Sequence, residues 1–407
     1  MAASAGPLAG IRVIDISTSY AGPTTSMYLG DMGAEVVKVE RPGSGDDARS
    51  WGPPFVEGES AWFLSANRNK RSVCIDLSTD GGLELLMRLI ETADVFVENL
   101  NPGKLRQLGL HPDDVRRRCP GLVYCAVSGF GLDGPDHDRP GYDLMAQARS
   151  GLMSVTGAKG GTPQRVSTAL SDVVAGIIAA FAISSALVGR ERTGEGELID
   201  VSLLEGDLAL MAPRIAAFAA GAEEPRPSGG TDSVLAIYQP FETGDAPIVL
   251  AVGNDRMWAR CCGVLELDEL AADPELATNA GRRARREEVI EAIAGRLAGR
   301  SAREWLQRFA EVGVPCQPVQ RLSEVVADPQ VVARGSIGTH EHPAAGAYTA
   351  VRAPWRLASA DRGPDGPPPL LGAHTLEVLA EAGVGADERE ALLAAGIVWD
   401  RAAGVVR

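Results

Sequence analysis

Hydrophobic runs of strand length recur along the first half of the chain and alternate with segments of helical period. Short apolar runs lie at residues 10–15, 35–39, 94–99 and 122–128. Longer segments lie between them, such as residues 81–93, where apolar residues recur every three or four positions. This alternation predicts βαβ units and an open parallel sheet, and therefore an α/β fold whose polar loops collect at the carboxyl ends of the strands.

A change of composition in the middle of the chain indicates more than one domain. Residues 221–230, with the sequence G-A-E-E-P-R-P-S-G-G, are typical of a linker. We therefore predict a large domain in residues 1–220, a smaller α+β domain with its linkers in residues 221–327, and a return segment in residues 328–407 that completes the large domain. The length of 407 residues agrees with two domains, because a single hydrophobic core rarely grows that large.

One acidic residue, Asp172, stands directly before an uncharged run of helical length, residues 173–189. The pattern predicts a loop that leads into the N-terminus of a buried helix. Asp172 then has two interpretations. It is either a helix cap, which accepts hydrogen bonds from the first-turn N–H groups, or a chemically active carboxylate that the helix dipole keeps ionised.

The composition narrows the classes of function. The net charge is -15 and the isoelectric point is about 4.9, so we expect no nucleic-acid partner. The cysteines lack C-x-x-C spacing and the histidines are scattered, so we expect no metal site. The N-terminus lacks the pattern of a secretory leader, and the run after Asp172 indicates a core helix rather than a membrane span. These features predict a soluble, cytoplasmic protein.

Several longer motifs occur in a fixed order along the chain. They are P-L-A-G-I-R-V-I-D, A-G-P, L-G-D-M-G-A-E-V-V-K-V-E-R-P-G-S-G-D, N-K-R-S-V-C-I-D-L, D-V-F-V-E-N and L-L-G-A-H-T. Together they resemble the class III CoA-transferases, the family of formyl-CoA and carnitine CoA-transferases to which α-methylacyl-CoA racemase also belongs. The resemblance extends over about residues 7–398. It implies a large Rossmann-like domain built from both chain ends, a small domain in the middle, and an interlocked homodimer.

The resemblance also implies a reaction. Asp172 matches the aspartate that attacks the acyl-CoA thioester in the transferases of this family. The implied course runs through an aspartyl anhydride and an enzyme–CoA thioester, from which a carboxylic acid acceptor receives CoA. Such an enzyme is a transferase of sulfur-containing groups in acyl-CoA metabolism. It needs no tightly bound cofactor, because coenzyme A enters as part of the substrate.

The motif G-Y-D at residues 141–143 distinguishes the activities within this family. The racemases have His before the Asp, and that His and the aspartate matching Asp172 are their two bases. Tyr142 stands at the His position here, and because a phenol is a poor base at neutral pH the motif favours CoA transfer. A racemase of 2-methylacyl-CoA and a non-catalytic acyl-CoA binder are the alternatives. Asp143 matches a carboxylate of formyl-CoA transferase, and is either catalytic or an acid at a helix start.

The family pattern assigns a set of residues to coenzyme A. They are Ser19, Tyr20, Ala21, Arg41, Ile75, Asp76, Asn99, Arg106 and Tyr142. The family often has Arg where this chain has Gln107, so Arg106 or Lys104 replaces that phosphate contact or the contact is missing. The glycine-rich loop of formyl-CoA transferase is not evident, residues 229–230 being the nearest match, and formate–oxalate exchange is therefore not favoured. No motif identifies the CoA donor or the acceptor acid.

Overall fold

A computed structural model of the chain describes residues 6–231, 234–358 and 366–403; the outermost residues of the predicted large domain, 1–5 and 404–407, lie outside this part. The described strands are β1 Arg12–Asp15, β2 Glu35–Glu40, β3 Phe55–Val56, β4 Glu59–Ser60, β5 Lys70–Ile75, β6 Val95–Glu98, β7 Val123–Ser128, β8 Leu198–Ser202, β9 Tyr238–Phe241, β10 Ile248–Ala251, β11 Cys316–Pro318, β12 Ile337–His342, β13 Gly346–Val351 and β14 Val398–Trp399. The described helices are α1 Ala21–Asp31, α2 Ala61–Ala66, α3 Asp80–Ile90, α4 Pro102–Leu108, α5 Pro112–Arg118, α6 Asp143–Arg149, α7 Leu152–Val155, α8 Leu170–Thr193, α9 Leu203–Ala219, α10 Asp255–Leu265, α11 Asp268–Ala272, α12 Asn279–Ala284, α13 Arg286–Leu297, α14 Ala302–Glu311, α15 Leu322–Val325, α16 Pro329–Ala333, α17 Thr375–Glu381 and α18 Ala386–Ala394.

A seven-stranded sheet, in the order β14-β5-β2-β1-β6-β7-β8, organises the larger part of the chain. The six strands from β5 to β8 are parallel, and β14 joins the β5 edge antiparallel. The order of the parallel strands is that of a doubly wound Rossmann fold, with its reversal between β1 and β6. The predicted α/β fold is therefore confirmed, and a strand from the C-terminal end completes the sheet.

Helices cover both faces of this sheet, because successive strand residues point to opposite sides. Val13 belongs to a buried cluster that contains residues of α1 and α8. Its neighbour Ile14 belongs to the cluster on the other face, with residues of α3 and α17. Both residues are fully buried. The near-continuous apolar runs in the sequence follow from this two-sided burial.

Helix α8 packs on the sheet through a narrow face of small residues. Ala175, Gly176 and Ala179 are buried, and a Cβ at Gly176 would lie 2.9 Å from the side chain of Thr24 on α1. The opposite face is exposed and apolar, with Phe181 73% exposed. The expectation of a buried helix is therefore wrong for one of its faces, since only one side packs on α1 and the sheet. By length and hydropathy α8 also meets the criteria for a membrane span, which core helices of soluble proteins meet as well.

Contacts between residues divide the chain into two compact units. The first contains Met1–Leu152, Val166–Gly221 and Val332–Arg407, and the second contains Met153–Arg165 and Ala222–Val331. The second unit includes a three-stranded antiparallel sheet, β11-β10-β9, and a core shared by α10, α13 and α14. Met153–Arg165 was placed in the large domain from the sequence, where no change of composition marks it. The other predicted boundaries, at residues 220/221 and 327/328, rest on the change of composition and stay predictions.

Candidate active site

The loop between β1 and α1 lies where the strand order reverses, and hydrogen bonds fix its backbone. Thr18 donates its N–H to Oδ1 of Asn99 at 3.0 Å, and Nδ2 of Asn99 donates to the Thr18 carbonyl at 2.7 Å. Asn99 follows β6, so this pair joins the ends of the two strands at the reversal. Ser19 donates its N–H to Oδ1 of Asp46 at 2.9 Å and has a φ of 70°, in the left-handed region that serine seldom adopts.

Two buried ion pairs lie beneath this loop. Lys38 contacts Asp46 at 2.8 Å, and Lys70 contacts Asp15 at 3.3 Å. Burial opposes the charge of Asp15, but Lys38 and Lys70 outweigh it and lower the pKa of this acid. Burial lowers the pKa of Lys70 to about 7. Because Lys38 also donates to the Ser17 carbonyl at 2.7 Å, these charges anchor the loop at both of its ends.

Two neighbouring cavities open at this edge of the sheet. The first, of about 380 Å³, is lined by three of the predicted CoA-binding residues, Arg41, Ile75 and Asp76. The second, of about 310 Å³, is lined by five of the predicted site residues, namely Ser19, Ala21, Asn99, Tyr142 and Asp172. Thr18, Leu100 and Lys104 line both cavities, so the two have a common wall.

The remaining predicted residues line neither cavity. Tyr20 packs edge-on against Trp62, and its hydroxyl lies 2.9 Å from the Ser65 hydroxyl. Arg106 is exposed on α4, the helix that also carries Lys104. Asp143 is buried behind the second cavity wall. The geometry thus favours Lys104 over Arg106 as the cation that a ligand in the cavities meets. Arg41 is paired with the exposed Asp47.

Asp172 is the third residue of α8 and is not its cap. The cap position is Ala169, which makes no capping hydrogen bond through its side chain. Burial, followed by the nearby carboxyls of Asp143 and Asp207, raises the pKa of Asp172 to about 7. The start of the helix therefore does not lower the pKa of this acid, because burial and like charge raise it.

Asp143, the first residue of α6, performs the capping that the sequence analysis considered for Asp172. Its Oδ1 accepts the N–H of Ser171 at 2.8 Å, in the first turn of α8. Its Oδ2 accepts the side-chain amide of Gln147 at 2.6 Å, and Oε1 of Gln147 accepts the N–H of Val166 at 2.8 Å. Asp143 therefore supports both the start of α8 and the loop before it.

Sequence reasoning missed three residues around Asp172. His137 and Arg139 line the second cavity, and Asp207, on α9, is fully buried behind Asp172. One signal for Asp207 was present in the sequence: it is an acid within the apolar residues of α9. It lies on the buried side of that helix, which packs against α8. No signal in the sequence distinguished His137 and Arg139 from other loop residues.

A doubly wound sheet with paired cavities at its reversal point, one of them lined by a half-buried carboxylate, is typical of an α/β enzyme. The chain belongs to CoA-transferase family III, whose family model matches residues 8–375. It is accordingly a CoA-transferase, an enzyme of acyl-CoA metabolism that acts on an acyl-CoA and a carboxylic acid. The resemblance drawn from the sequence motifs is thereby confirmed.

Named relatives and solved structures agree with this assignment. The succinyl-CoA:glutarate CoA-transferase of Homo sapiens is 39% identical over 96% of this chain and 90% of its own length. The succinate–glutarate CoA-transferase of Agrobacterium fabrum is 39% identical over 92% of this chain and 95% of its own length. A crystal structure of a CaiB/BaiF family protein from Brucella suis superposes with a TM-score of 0.82, at 36% identity, covering 93% of this chain and all of that one.

Proposed function

We propose that this enzyme transfers CoA from succinyl-CoA to a second dicarboxylic acid, with Asp172 as the nucleophile. The observation that carries the proposal is the position of Asp172, which lines the second cavity, while Lys104 and Thr18 connect that cavity to the first. An acyl-CoA bound along both cavities brings its thioester to the carboxylate. Relatives that are 39% identical over nearly the whole chain have names that specify succinyl-CoA and glutarate, which supports the choice of acids.

The proposed steps exchange carboxylates and thiolates without a proton transfer. Asp172 attacks the thioester carbonyl, the C–S bond breaks and CoA leaves as the thiolate. The thiolate attacks the Asp172 carbonyl of the anhydride, the C–O bond breaks, and the donor acid leaves as a carboxylate. The acceptor carboxylate then attacks the enzyme thioester, and the released thiolate takes the new acyl group and restores Asp172. Because no step needs a base, Tyr142 at the racemase histidine position is compatible with this course.

Coenzyme A is proposed to lie with its phosphates in the first cavity. Arg41 and Lys104 line that cavity and supply the positive charge, Arg41 exchanging its partner Asp47 for a phosphate. Gly129 and Gly141 line the second cavity, where a Cβ on Gly129 would lie 2.5 Å from the backbone of Gly141. Without side chains, their backbone N–H groups are proposed donors to the tetrahedral oxyanion.

The acceptor acid, and the second carboxylate of a dicarboxylic acid, need hydrogen-bond donors or positive charge in the cavity. His137 and Arg139 line the second cavity together with Asp172. Arg139 is paired with Asp136 at 2.7 Å in this state, and a carboxylate substrate offers the guanidinium an equivalent partner. These two residues are the proposed contacts of the acceptor.

Assembly and location are also part of the proposal. The exposed apolar faces of α8 and α9, which include Phe181, Val188, Ile215 and Phe218, form the proposed interface of an interlocked homodimer. The enzyme is proposed to work in the cytoplasm on small-molecule substrates, without a nucleic-acid or membrane partner.

Replacement of the nucleophile tests the reaction. Asp172→Ala is expected to abolish the formation of glutaryl-CoA from succinyl-CoA and glutarate, and also the mass increase of the chain by one bound CoA when succinyl-CoA is added alone. Asp387→Ala, which removes an exposed acid on α18, is the matched control and should retain both signals. Normal turnover in Asp172→Ala would exclude the mechanism.

The alternatives give different results in the same assay. Solvent deuterium that enters the α-carbon of a 2-methylacyl-CoA in the absence of an acceptor would support the racemase. Tight CoA binding with no transfer across a panel of donors and acids would support a non-catalytic binder.

A further inference from the structure

Asp207 is a buried acid that stands behind the turn carrying Asp172. It lies on α9, which packs against α6 and α8, and is 0% exposed. The hydroxyl of Ser171, the residue before Asp172, donates to Oδ2 of Asp207 at 2.8 Å. Because the N–H of the same serine donates to Asp143 at 2.8 Å, Ser171 joins both acids to the first turn of α8.

Three carboxyls therefore surround one turn of helix. Asp143 on α6 and Asp172 on α8 are the ionisable groups that face Asp207 from those two helices. Two further acids near Asp207 in the chain have partners of their own: Glu205 of α9 accepts from Ser202 and Asp200 of β8 accepts the N–H of Leu132. Three negative charges at this separation repel each other strongly in a buried site, so one carboxyl is expected to retain a proton.

The hydrogen bonds accepted by the three carboxyls indicate which of them retains the proton. Both oxygens of Asp143 accept hydrogen bonds from N–H donors. Asp172 faces a cavity. Oδ1 of Asp207 is buried and accepts no hydrogen bond within the described part of the chain, and an unsatisfied carboxylate oxygen is costly there.

A proton on Oδ1 would remove this cost and would find an acceptor. The hydroxyl of Ser150 interacts with the Asp207 carboxyl and donates its own hydrogen to the Gln147 carbonyl at 3.3 Å. The Oγ of Ser150 also accepts the N–H of Leu152 at 3.4 Å, and its second lone pair is the acceptor for a protonated Asp207. Burial raises the pKa of Asp207 and Asp143 raises it further, and together they exceed the opposing effect of the Ser171 and Ser150 hydroxyls.

We propose that Asp207 holds a proton in the resting enzyme and thereby allows the neighbouring Asp172 to be the ionised, attacking carboxylate. Asp207 is then a positioning residue. It holds Ser171, and through it the first turn of α8, with a neutral group. The same geometry with an ionised Asp207 would add a buried negative charge beside the nucleophile and beside the oxyanion that forms during acyl transfer. The location of the proton is a property of the free enzyme, and only its catalytic benefit rests on the proposed function.

Infrared difference spectroscopy of the free enzyme tests the location of the proton. The measurement compares wild type with Asp207→Asn and with Asp172→Asn, at a pH about one unit above the pKa of Asp172 of about 7, so that Asp172 is mostly ionised. A carbonyl band of a protonated carboxyl, which shifts in D₂O, is expected in the difference for Asp207→Asn and not in that for Asp172→Asn. Glu98, whose pKa burial raises to about 8, contributes equally to all samples and cancels.

The opposite pattern, or no such band for Asp207→Asn, overturns the proposal. Should Asp207→Asn fail to fold, Ser150→Ala serves instead. It removes the acceptor of the proposed O–H group, so the band should move to higher frequency, and an unchanged band overturns the proposal. None of these outcomes depends on transferase activity, so a failure here is separate from a failure of the proposed reaction.

The pH profile of kcat/KM adds a readout that a purely structural role would not change. The acid limb reports the ionisation of Asp172, so activity falls as the pH drops below about 7. If Asp207 is already neutral, Asp207→Asn leaves the midpoint of this limb within about 0.3 pH units, since no charge is lost. A midpoint at least about one unit lower in Asp207→Asn would mean that Asp207 is charged in the wild type, and would overturn the proposal.

Discussion

At the scale of single residues, the environment of Asp172 is set by groups that approach it from other helices. Asp143 caps the helix that carries it, and Asp207 holds the serine before it. Burial first, and the carboxyl of Asp143 after it, raise the pKa of Asp172 to about 7. A carboxylate with a raised pKa is a stronger nucleophile than an ordinary aspartate, and with a pKa of about 7 roughly half of it is ionised at neutral pH. The neighbours of Asp172 therefore adjust its reactivity as well as its position.

Lys104 and Arg106 provide a matched comparison for CoA binding. Both are exposed cations on α4, but only Lys104 lines the two cavities. Lys104→Ala is expected to raise the KM for acyl-CoA about tenfold, because it removes a charge-assisted contact to phosphate. Arg106→Ala should change KM by no more than about twofold, as for a surface substitution. Steady-state kinetics of both variants check this, and equal effects would contradict the assignment of the contact to Lys104.

At the scale of elements, helix α8 has two different faces. Its small residues allow a close approach to α1, so the residues after Asp172 rest on the helix that follows the Ser17–Tyr20 loop. The loop itself is held by Asn99 from the end of β6 and by Asp46. The loop proposed to bind the acyl-CoA and the turn that carries Asp172 are thus joined by packing between α1 and α8.

Two glycines of α8 test the importance of this close approach. A Cβ at Gly176 would lie 2.9 Å from Thr24 and 3.0 Å from the Ala21 carbonyl, whereas a Cβ at Gly189 meets no atom within 4 Å. Gly176→Ala is expected to lower the free energy of unfolding by about 1–3 kcal/mol through overpacking. Gly189→Ala should raise it by about 0.5–1 kcal/mol, because alanine favours the helix. Urea unfolding at equal protein concentrations measures both, and destabilisation by the two variants alike would contradict the packing argument.

At the scale of the whole molecule, the first unit exposes large apolar side chains on two helices, α8 and α9. Phe181 and Val188 on α8, with Ile215 and Phe218 on α9, are all exposed. Exposed apolar side chains on two helices that pack against each other, in a chain with a net charge of -15, are typical of an interface between protein subunits. This surface is the physical basis of the proposed homodimer, beside the family resemblance.

A charged substitution on that surface tests the assembly. Wild type is expected to sediment as a dimer, and Phe181→Asp to shift material to the monomer, since it would bury an unpaired charge. Leu322→Asp changes an exposed apolar residue of the second unit and should leave the dimer intact. If the subunits are interlocked, tagged and untagged wild-type dimers should form no mixed dimers on incubation. A monomeric wild type, or rapid exchange, would contradict the respective part of the proposal.

The sequence alone determined the α/β class, the alternation of strands and helices, and the family. These features depend on the hydrophobic period of short segments and on ordered motifs, both of which are local in the chain. The start of α8 near Asp172 was predictable for the same reason. Under the family resemblance, Tyr142 stands where the racemases have a histidine, and that comparison depends only on the identity of one side chain.

Only the tertiary structure decided the environment of Asp172 and which side chains line the two cavities. Asp143 and Asp207 lie 28 and 36 positions from Ser171, and their effect on the neighbouring Asp172 arises from helix packing that no local pattern encodes. The choice between Lys104 and Arg106 depended on which face of α4 meets the cavities. The exposed face of α8 likewise required the packed structure, since an uncharged helical run is the same in sequence whether one of its faces is buried or all of them. Burial and electrostatic interaction are set by distances in space, and the sequence specifies them only through the complete fold.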